Sequence, residues 1–541
     1  MKRYFIYIGL AGLLMQSASC TKNFQEINTD PTQTSADLYN PNYLLTSAQH
    51  AFSSQGYNMF LFEGFWTQIM ASTSSLTSNY LSNGDKYVAT SGTSDYQGRI
   101  WNTDYGSTDL FYTGAGNLVA EAITLTKDDP SKVNLTATCM IMKAMILQQA
   151  TDVYGDVPYS QAFQGKTGIT QPVYDKQEEI YNSIFNDLTT AIGMFDASKT
   201  LVTGDLYYGG DITKWKKFAY SLMLRAAMRL TKVAPATAQT WAEKAAAGGV
   251  FTSTADDAYT KVQSTNGHDN AQARVYGTDL YQTRWSKTLI DYLKANADPR
   301  LGVVSEVPQA GLAANKVTTA GNTTASAQQG LPNGYDLNGG PTDVTKEPNY
   351  PGSTGTGDDE TPLGKYSRPL ASVYTNLNSP IFVLTYAQTE LLLAEAAARG
   401  WNVGGTAATH YAAGTIAGLT SLSTLGSALT ISSTTATTWA ALHPLDVTST
   451  TASLKQINEQ YWATTGIQFN YIETWFNWRR SGYPVLTPVV YDANFTGGQI
   501  PRRQLYPVTE ASLNGTNYKA GVTGLSAGDT WVSRVWWDPA S

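Results

Sequence analysis

Cysteine is scarce in this chain, and the scarcity limits how the fold can be stabilised. Its 541 residues include only two cysteines, Cys20 and Cys139. Cys20 ends a leader-like stretch and Cys139 lies in an apolar helical pattern, so we predict that no intrachain disulfide forms and that Cys139 is a core residue. A disulfide-dense scaffold is therefore excluded, and stability has to come from core size, which a chain of several hundred residues provides.

Charged side chains are scarce as well. They make up 15% of the residues, the formal net charge is -7, and no run of Lys and Arg is longer than a pair. Proteins that bind nucleic acid or anionic membrane surfaces need a basic patch or stripe. The composition therefore argues against both kinds of partner.

The amino-terminal apolar run is too short to span a membrane. It extends from Tyr4 to Met15, whereas a spanning helix needs roughly 20 apolar residues. Lys2 and Arg3 precede it and small residues follow it, which is the pattern of a secretory signal peptide. A buried amino-terminal helix is the alternative.

Cys20 follows a Ser-Ala-Ser triplet, where a bacterial lipoprotein signal peptidase would cleave. We predict that residues 1–19 are a signal peptide and that Cys20 is diacylated. Simple secretion is the alternative, because Ser17 stands where Leu is commoner. Each buried methylene contributes about 0.8 kcal/mol and one acyl chain binds only marginally, so two chains would anchor stably. Losing Lys2 and Arg3 would shift the net charge from -7 to -9.

Residues that could support catalysis form no recognisable motif. The four histidines, His50, His268, His410 and His443, are too scattered for a zinc-ligand spacing. The sequence has no G-x-S-x-G nucleophile elbow and no P-loop. The paired carboxylates of a glycosidase can lie far apart in sequence, so a surface glycoside hydrolase stays as an alternative.

One acidic cluster could hold a metal ion. Asp358, Asp359 and Glu360 have Asp336 and Asp343 nearby in the sequence. Calcium prefers several carboxylate and carbonyl oxygens, so the cluster is a candidate calcium site. A solvated acidic loop is the alternative, and we expect no other cofactor.

Aromatic and hydroxyl side chains are plentiful. The chain has 33 Tyr and 13 Trp, together with many Ser, Thr, Asn and Gly. Aromatic faces stack on apolar surfaces, and their polar neighbours form hydrogen bonds. This composition suits recognition of a polymer, although it is also common among secreted bacterial proteins.

Helical periodicity predicts a mainly α fold. The clearest helices begin at Asp175 with Glu178 placed as in a capping box, near Asp211 or Thr213, and at Tyr386, the last ending at Arg399 before Gly400. A turn at Gly404 and Gly405 then leads into another helical stretch. We therefore predict a helical hairpin of the kind that stacks in tetratricopeptide scaffolds.

Stretches rich in Ser, Thr, Gly, Asn and Pro separate the helices, at 73–108, 252–285, 306–370 and 420–450. Long loops are uncommon inside compact domains and are usually functional or disordered, so we expect the binding surface there. No linker divides the chain, and we predict one domain over 20–541. Its helical scaffold would cover about 42–250 and 378–482, with loop-rich ligand-facing insertions at about 73–108, 252–370 and 420–450.

Several stretches, in order along the chain, resemble the SusD/RagB family of Bacteroidota. The opening CTKNFQEINTDPTQ from Cys20 resembles the start of that family, and TDVYGDVPYSQAF at 151–163 is the most specific match. The other matching stretches are GDITKWKKFAYSLMLRAAMRL at 210–230, NADPRL at 296–301, YAQTELLLAEAAARGW at 386–401, RRSGYPVL from Arg479 and IPRRQLYPVTEASLN from Ile500. The helix after Gly404 departs from the family pattern, with Ala412, Ala413 and Gly414 after its tyrosine.

The resemblance implies a helical scaffold with four tetratricopeptide-like units and ligand contacts on long loops. It also implies a lipid-anchored protein of the outer membrane and cell surface, seated on a SusC-like TonB-dependent transporter. Such a protein would bind oligosaccharides and pass them on without catalysis. Peptides are the alternative cargo, since fold does not decide between them. A cap that contacts no ligand is a further rival.

The loop at 73–108 holds side chains that suit a saccharide, namely Asn79, Tyr80, Tyr87, Tyr96, Arg99 and Trp101. In glycan-binding relatives the corresponding early loop supplies such groups. Aromatic rings stack on the apolar faces of sugars, and Asn and Arg bind their hydroxyls. Trp101 could instead pack against a helix predicted over 103–122.

A second candidate cluster consists of Tyr276, Tyr281, Arg284 and Trp285. Its alternative is a core position, because Trp285 to Leu293 has a helical pattern. The predicted ligand contacts are Asn79, Tyr80, Tyr96, Arg99, Trp101, Tyr276 and Trp285.

Overall fold

The described part of the chain is built mainly from α-helices, as the periodicity predicts. The computed structural model describes residues 39–54, 62–74, 82–89, 93–106, 114–280, 282–308, 320–353, 364–492 and 494–540. The chain divides into an amino-terminal segment, Met1–Pro41, and a unit that spans Asn42–Ser541. The predicted signal peptide and Cys20 lie outside the described residues, and the fold below is that of the second unit.

The helices of the first half are α1 (Asn42–Ser53), α2 (Glu63–Trp66), α3 (Ser82–Asp85), α4 (Thr93–Tyr105), α5 (Ala115–Thr126), α6 (Val133–Tyr154), α7 (Gln177–Met194), α8 (Ile212–Arg229) and α9 (Pro235–Gly248). Those of the second half are α10 (Ala271–Thr278), α11 (Lys287–Ala295), α12 (Leu301–Val304), α13 (Ala371–Tyr374), α14 (Tyr386–Ala398), α15 (Ala407–Thr420), α16 (Ser433–Leu442), α17 (Thr450–Ile467), α18 (Tyr471–Ser481), α19 (Glu510–Leu513) and α20 (Gly515–Thr523). Neighbouring helices pack as pairs, among them α5 with α6, α8 with α9, α14 with α15 and α17 with α18. No helix within these described ranges is both long and apolar enough to cross a membrane.

Six short strands form three two-stranded antiparallel ribbons in the described residues. The strands are β1 (Met70–Ser72), β2 (Ala258–Thr260), β3 (Thr283–Trp285), β4 (Ser305–Glu306), β5 (Arg368–Pro369) and β6 (Ile381–Leu384). β1 pairs with β3, β2 with β6 and β4 with β5. Each ribbon joins segments that are distant in sequence, so the strands tie the insertions to the helical scaffold.

The three clearest predicted helices form, with one error at a helix start. Asp211 caps α8 by accepting hydrogen bonds from the backbone amides of Thr213 and Lys214, as its position before the helix suggests. The capping box predicted at Asp175 and Glu178 is wrong, because no side chain caps α7 from its N-cap residue. Asp175 instead accepts hydrogen bonds from the amides of Tyr159 and Ser160, at 2.8 and 2.9 Å.

The hairpin of α14 and α15 forms as predicted. Gly400 follows α14 with φ +84°, a conformation that favours glycine. Gly414, at the departure from the family pattern, is where α15 meets α14. A Cβ at this position would lie 2.8 Å from Leu391 Cγ, so the small residue permits the close approach.

Three of the loop predictions need correction. The stretch 73–108 contains α3 and α4, so Trp101 lies inside a helix and not before one. The stretch 420–450 contains α16, and 252–285 contains α10 between two strands. Polar side chains cap two of these short helices: Ser432 caps α16 by accepting from the Thr435 amide, and Asn270 caps α10 by accepting from the Ala273 amide.

The segment 151–163 is architectural, as predicted. α6 ends at Tyr154, and Gly155 continues the chain with φ +94°. Tyr154 and Tyr159 are buried beside this turn. Cys139 is fully buried in α6, and burial raises the pKa of its thiol, so it behaves as a core residue.

Candidate functional site

One region of the structure is built mainly from loops, with strand β1 and the short helix α3, and we call it the loop face. It comprises residues 70–74, 82–89, 329–353, 364–367 and 487–496 of the described chain. A small hydrophobic core of its own supports it, formed by Ala71, Leu331, Val344 and Tyr366. This core is separate from the main core of the helical scaffold.

A fully buried ion pair joins the strands and loops of this face. Lys86 Nζ lies 2.7 Å from Asp85 Oδ2, and it also donates to the Ser72 carbonyl oxygen at 2.9 Å. Asp85 accepts from Asn333 Nδ2 at 2.7 Å and from the Gly334 amide at 3.1 Å. Removing one partner of a buried pair leaves an uncompensated charge, which typically costs about 3–5 kcal/mol. The pair therefore holds three separate chain segments in one arrangement.

Two half-buried tyrosines, Tyr335 and Tyr350, lie on the small core and remain partly open to solvent. The ring of Tyr350 lies 6.3 Å from that of Tyr366, centroid to centroid. Tyr366 is buried, and its hydroxyl donates to Glu347 Oε2 at 3.2 Å. Each half-buried ring is thus backed by the side chains of the small core.

Hydrogen bonds to the residues on either side of Tyr335 hold this part of the chain in place. On one side, the Gly334 amide is bound by Asp85, and Gly334 itself has φ +92°. On the other side, Asp336 Oδ2 accepts from the Tyr491 hydroxyl at 2.5 Å. A ring on a fixed backbone loses less freedom when a ligand binds, which favours binding.

Tyr350 is fixed in a similar way. Its amide donates to the Glu347 carbonyl at 3.0 Å, and the carbonyl of Asn349 accepts from Gln329 Nε2 at 2.6 Å. The two tyrosines, together with the exposed amides of Asn338 and Asn349, give the loop face a mixture of rings and hydrogen-bonding groups. Such a mixture can stack on a flat, hydroxylated ligand and bind its polar edge.

The carboxylates of Asp336 and Asp343 accept hydrogen bonds from other groups of the protein. Asp336 accepts from Tyr491 and from the Asn338 amide, and Asp343 accepts from the amides of Gly339 and Thr345. Burial would raise the pKa of Asp343, but these hydrogen bonds hold that pKa below its ordinary value. Asp358, Asp359 and Glu360 lie outside the described residues, so calcium binding there stays a prediction. Among the residues that are described, no group of three or more His, Cys, Asp and Glu could hold a metal ion.

Comparisons with known proteins place this architecture in a family. Residues 32–507 match a SusD-like family described as "Starch-binding associating with outer membrane". The chain belongs to the SusD-like family. A solved structure named chitin-binding protein is 31% identical, with 93% of this chain and 100% of that chain covered and a TM-score of 0.77.

Other SusD-like structures share the fold. The Bacteroidetes AC2a SusD-like protein is 26% identical, with 93% of this chain and 100% of that chain covered and a TM-score of 0.74. A chitin-binding SusD homologue from Flavobacterium johnsoniae is 22% identical, with 92% and 98% covered and a TM-score of 0.64. Among curated proteins no match is found.

Family membership confirms the coarse functional expectations. This SusD-like protein is a nutrient-binding protein associated with the outer membrane. SusD-like binding proteins are non-catalytic, so the glycoside hydrolase alternative is dropped.

Trp101 does not lie on the loop face of this SusD-like protein. It is only 6% exposed, and its ring packs against the rings of Tyr105, Tyr154, Tyr174 and Tyr506, at centroid distances of 4.6 to 5.9 Å. The Trp101 amide also donates to the Tyr154 hydroxyl at 3.2 Å. The ring therefore has no open face for a ligand, and the core interpretation holds.

The structure brings Tyr276 and Trp285 together, but inside the core. Both side chains are fully buried and pack edge-on against Phe469, at 6.1 and 6.0 Å between ring centroids. Trp285 belongs to β3, and α11 begins only at Lys287, so the helix predicted from Trp285 starts two residues late. Arg284 is buried beside them, and burial together with nearby Arg368 lowers its pKa to about 9. These residues support the fold and offer no surface to a ligand.

The remaining predicted contacts stay untested. Arg99 lies on α4 and is half-buried. Tyr96 also belongs to α4, but its side chain is outside the described part of the structure, and Asn79, Tyr80 and Tyr281 lie outside it altogether.

One cavity inside the scaffold is too small for an oligosaccharide. This cavity has a volume of about 50 Å³ and is lined by Gln148, Arg225 and Glu473 among others. Pockets that take drug-sized ligands are roughly 300–1,000 Å³. This cavity suits a few water molecules and not a polymer, and larger pockets of about 610 and 550 Å³ lie elsewhere in the described part of the chain.

Sequence reasoning pointed to the stretch 306–370 but missed Tyr335 and Tyr350. Each tyrosine stands in a turn-rich sequence, PNGYDLNGG or EPNYPG, in which the neighbours favour turns and no helical or strand pattern explains a large ring. A tyrosine isolated among turn residues is therefore the signal that could have identified them.

Proposed function

We propose that this SusD-like protein binds oligosaccharides on its loop face, at Tyr335 and Tyr350, and passes them to a partner TonB-dependent outer-membrane transporter. The observation that carries the proposal is the pair of half-buried rings, each on a backbone segment held by hydrogen bonds and each packed against a small core. Sugar rings have apolar C–H faces that stack on such surfaces, and their hydroxyls need nearby amides.

The named relatives support N-acetylglucosamine oligomers as the first ligand to test. One structural relative at 31% identity is named a chitin-binding protein, and another is a chitin-binding SusD homologue. The acetamido group of this sugar adds a planar amide, which can pair with the side chains of Asn338 and Asn349. Starch oligomers are the second choice, following the family description.

Residues close to the loop face in the sequence are part of the proposed site. The described chain leaves the face at Ser74 and returns at Ser82, so Asn79 and Tyr80 fall between two of its residues in the sequence. We propose that Asn79, Tyr80, Tyr96 and Arg99 add contacts along the polymer, which would extend the site beyond the two described rings.

The test is the affinity of the protein for N-acetylchito-oligosaccharides, measured by isothermal titration calorimetry. We expect Tyr335→Ala and Tyr350→Ala each to weaken binding about tenfold, because a tenfold change corresponds to about 1.4 kcal/mol and an aromatic contact contributes on this scale. Tyr43→Ala is the matched control, since Tyr43 is 62% exposed on α1, a helix of the scaffold.

Three results would contradict the proposal. If affinity is unchanged in the double variant Tyr335→Ala/Tyr350→Ala, the site lies elsewhere. If peptides bind and glycans of both kinds do not, the cargo is a peptide. If no oligomer binds while the protein still copurifies with its transporter, the protein is a cap without a ligand site.

A further inference from the structure

The fold brings together two histidines that are far apart in the sequence. His50 lies on α1, and His268 lies in the loop that leads into α10. Their ring centroids are 4.3 Å apart and the ring planes meet at 73°, an edge-to-face contact. His50 is half-buried and His268 is exposed, so the pair can be reached from solvent.

These two imidazoles differ from the other two histidines of the chain. His410 Nδ1 lies 2.6 Å from Glu390 Oε2, and His443 Nδ1 lies 2.8 Å from the Trp439 carbonyl oxygen. Neither His50 nor His268 has a side-chain hydrogen bond to any residue that the structure describes. Their ring nitrogens are therefore available as ligands, which is the usual role of a neutral imidazole outside catalysis.

The backbone holds both histidines in place. His268 forms a two-way backbone bridge with Gln263, with N···O distances of 2.7 and 3.3 Å. Asn270 then caps α10 and donates to the Ser379 carbonyl at 2.9 Å. On the other side, the Ser53 hydroxyl at the end of α1 is hydrogen-bonded to Thr260 of β2. Little rearrangement is thus needed to hold a ligand between the rings.

We propose that His50 and His268 form a surface site for a divalent transition-metal ion such as Zn²⁺, Ni²⁺ or Cu²⁺. Imidazole nitrogen suits these ions, whereas calcium and magnesium require oxygen ligands. Metal–nitrogen distances of about 2.0–2.1 Å place two nitrogens on one ion about 3 Å apart, which rings already in edge contact reach by small side-chain rotations.

Water fills the remaining positions of the proposed site. Asp269, the nearest carboxylate in sequence, is paired with Arg274, so it is already neutralised. A site with two protein ligands binds its ion less tightly than a structural zinc site with four. An ion here would link α1 to the loop before α10, and this role is independent of the proposed glycan site.

The test uses protein without a histidine tag and with Cys20→Ala, so that neither a tag nor a free thiol competes for metal. Zn²⁺ and Ni²⁺ are titrated by calorimetry, and Cu²⁺ is followed by its visible absorption. We expect one ion per chain, and at least tenfold weaker binding in His50→Gln and in His268→Gln. His443→Gln is the matched control and should bind as the parent does.

A second measurement covers the case in which His50→Gln alters the fold. Saturating Zn²⁺ should raise the melting temperature of the parent and of His443→Gln, because a ligand that binds only the folded state stabilises it. The exposed variant His268→Gln should fold normally and show no such rise. Absence of binding in the parent, or binding that survives both replacements, would overturn the proposal.

Discussion

Glu63 on α2 is a carboxyl group buried without a full set of partners. Its Oε1 accepts from Gln504 Nε2, whereas Oε2 is buried with no hydrogen-bond partner in the described structure. Burial raises the pKa of Glu63 to about 8, although Gln504 and Arg479 act in the opposite direction. The side chain is therefore neutral in the folded protein at pH values where an ordinary carboxyl is ionised.

Replacing Glu63 should change how stability depends on pH. Between its ordinary pKa of 4.5 and about 8, the folded protein keeps a proton that the unfolded chain has released. The contribution of Glu63 to the free energy of unfolding is therefore fully present below pH 4.5. It falls as the pH rises from 4.5 towards 8, by at most about 1.4 kcal/mol per pH unit. Glu63→Gln should remove this fall in the free energy of unfolding, measured by urea denaturation at several pH values.

Glu178→Gln serves as the control, because Glu178 is exposed on α7. Its pH dependence should match that of the parent protein. Parallel curves for the parent and Glu63→Gln across this pH range would show that Glu63 is not the group that titrates.

At the scale of elements, small residues decide how closely the helices approach. In the hairpin of α14 and α15, a Cβ on Gly414 would lie 2.8 Å from Leu391 Cγ and 3.0 Å from the Leu391 backbone nitrogen. The second contact is with backbone, which cannot move aside as a flexible side chain can. Gly414 therefore allows α15 to pack closely against α14, and a larger residue would disturb this contact.

Gly414→Ala should destabilise the protein by about 1–3 kcal/mol, the usual cost of overpacking a core. Gly193→Ala is the matched control, because Gly193 lies near the end of α7 and a Cβ added there would meet nothing within 4 Å. Alanine is favoured over glycine in a helix by up to about 1 kcal/mol, so this change should stabilise. Chemical denaturation of both variants checks the prediction, and equal effects in the two would contradict it.

At the scale of the whole molecule, we predict that a lipid anchor attaches the protein to the outer membrane. The SusD-like family is associated with the outer membrane. Cys20 follows a signal-peptide pattern, which supports an acyl anchor as the means of attachment. Two acyl chains at one end of the chain would hold the protein on the membrane without any spanning segment.

Cys20→Ala should therefore move the protein from the outer-membrane fraction to the soluble fraction, and it should prevent labelling by a radioactive fatty acid. Cys139→Ala is the matched control, because Cys139 is buried in α6 and cannot reach an acyl donor. This variant should stay labelled and membrane-bound. A labelled Cys20→Ala protein would show that the anchor lies at another residue.

Much of the fold could be predicted from the sequence, because helical periodicity and helix caps are local. Asp211, which caps α8, and Gly400, which ends the first helix of the hairpin, are examples. The proposed site could be predicted only as a region. Arg99 and Trp101 are two positions apart on α4, yet one is half-buried and the other packs among four tyrosines, three of them from other parts of the chain.

The sequence by itself determined the helical class and the family, since each depends on residue types and short spacings. Only the tertiary structure decided which rings are exposed. Trp285 is buried against Phe469, Tyr335 remains partly exposed, and the rings of His50 and His268 are in contact. Burial and contact depend on residues far apart in the chain, and no local pattern carries that information.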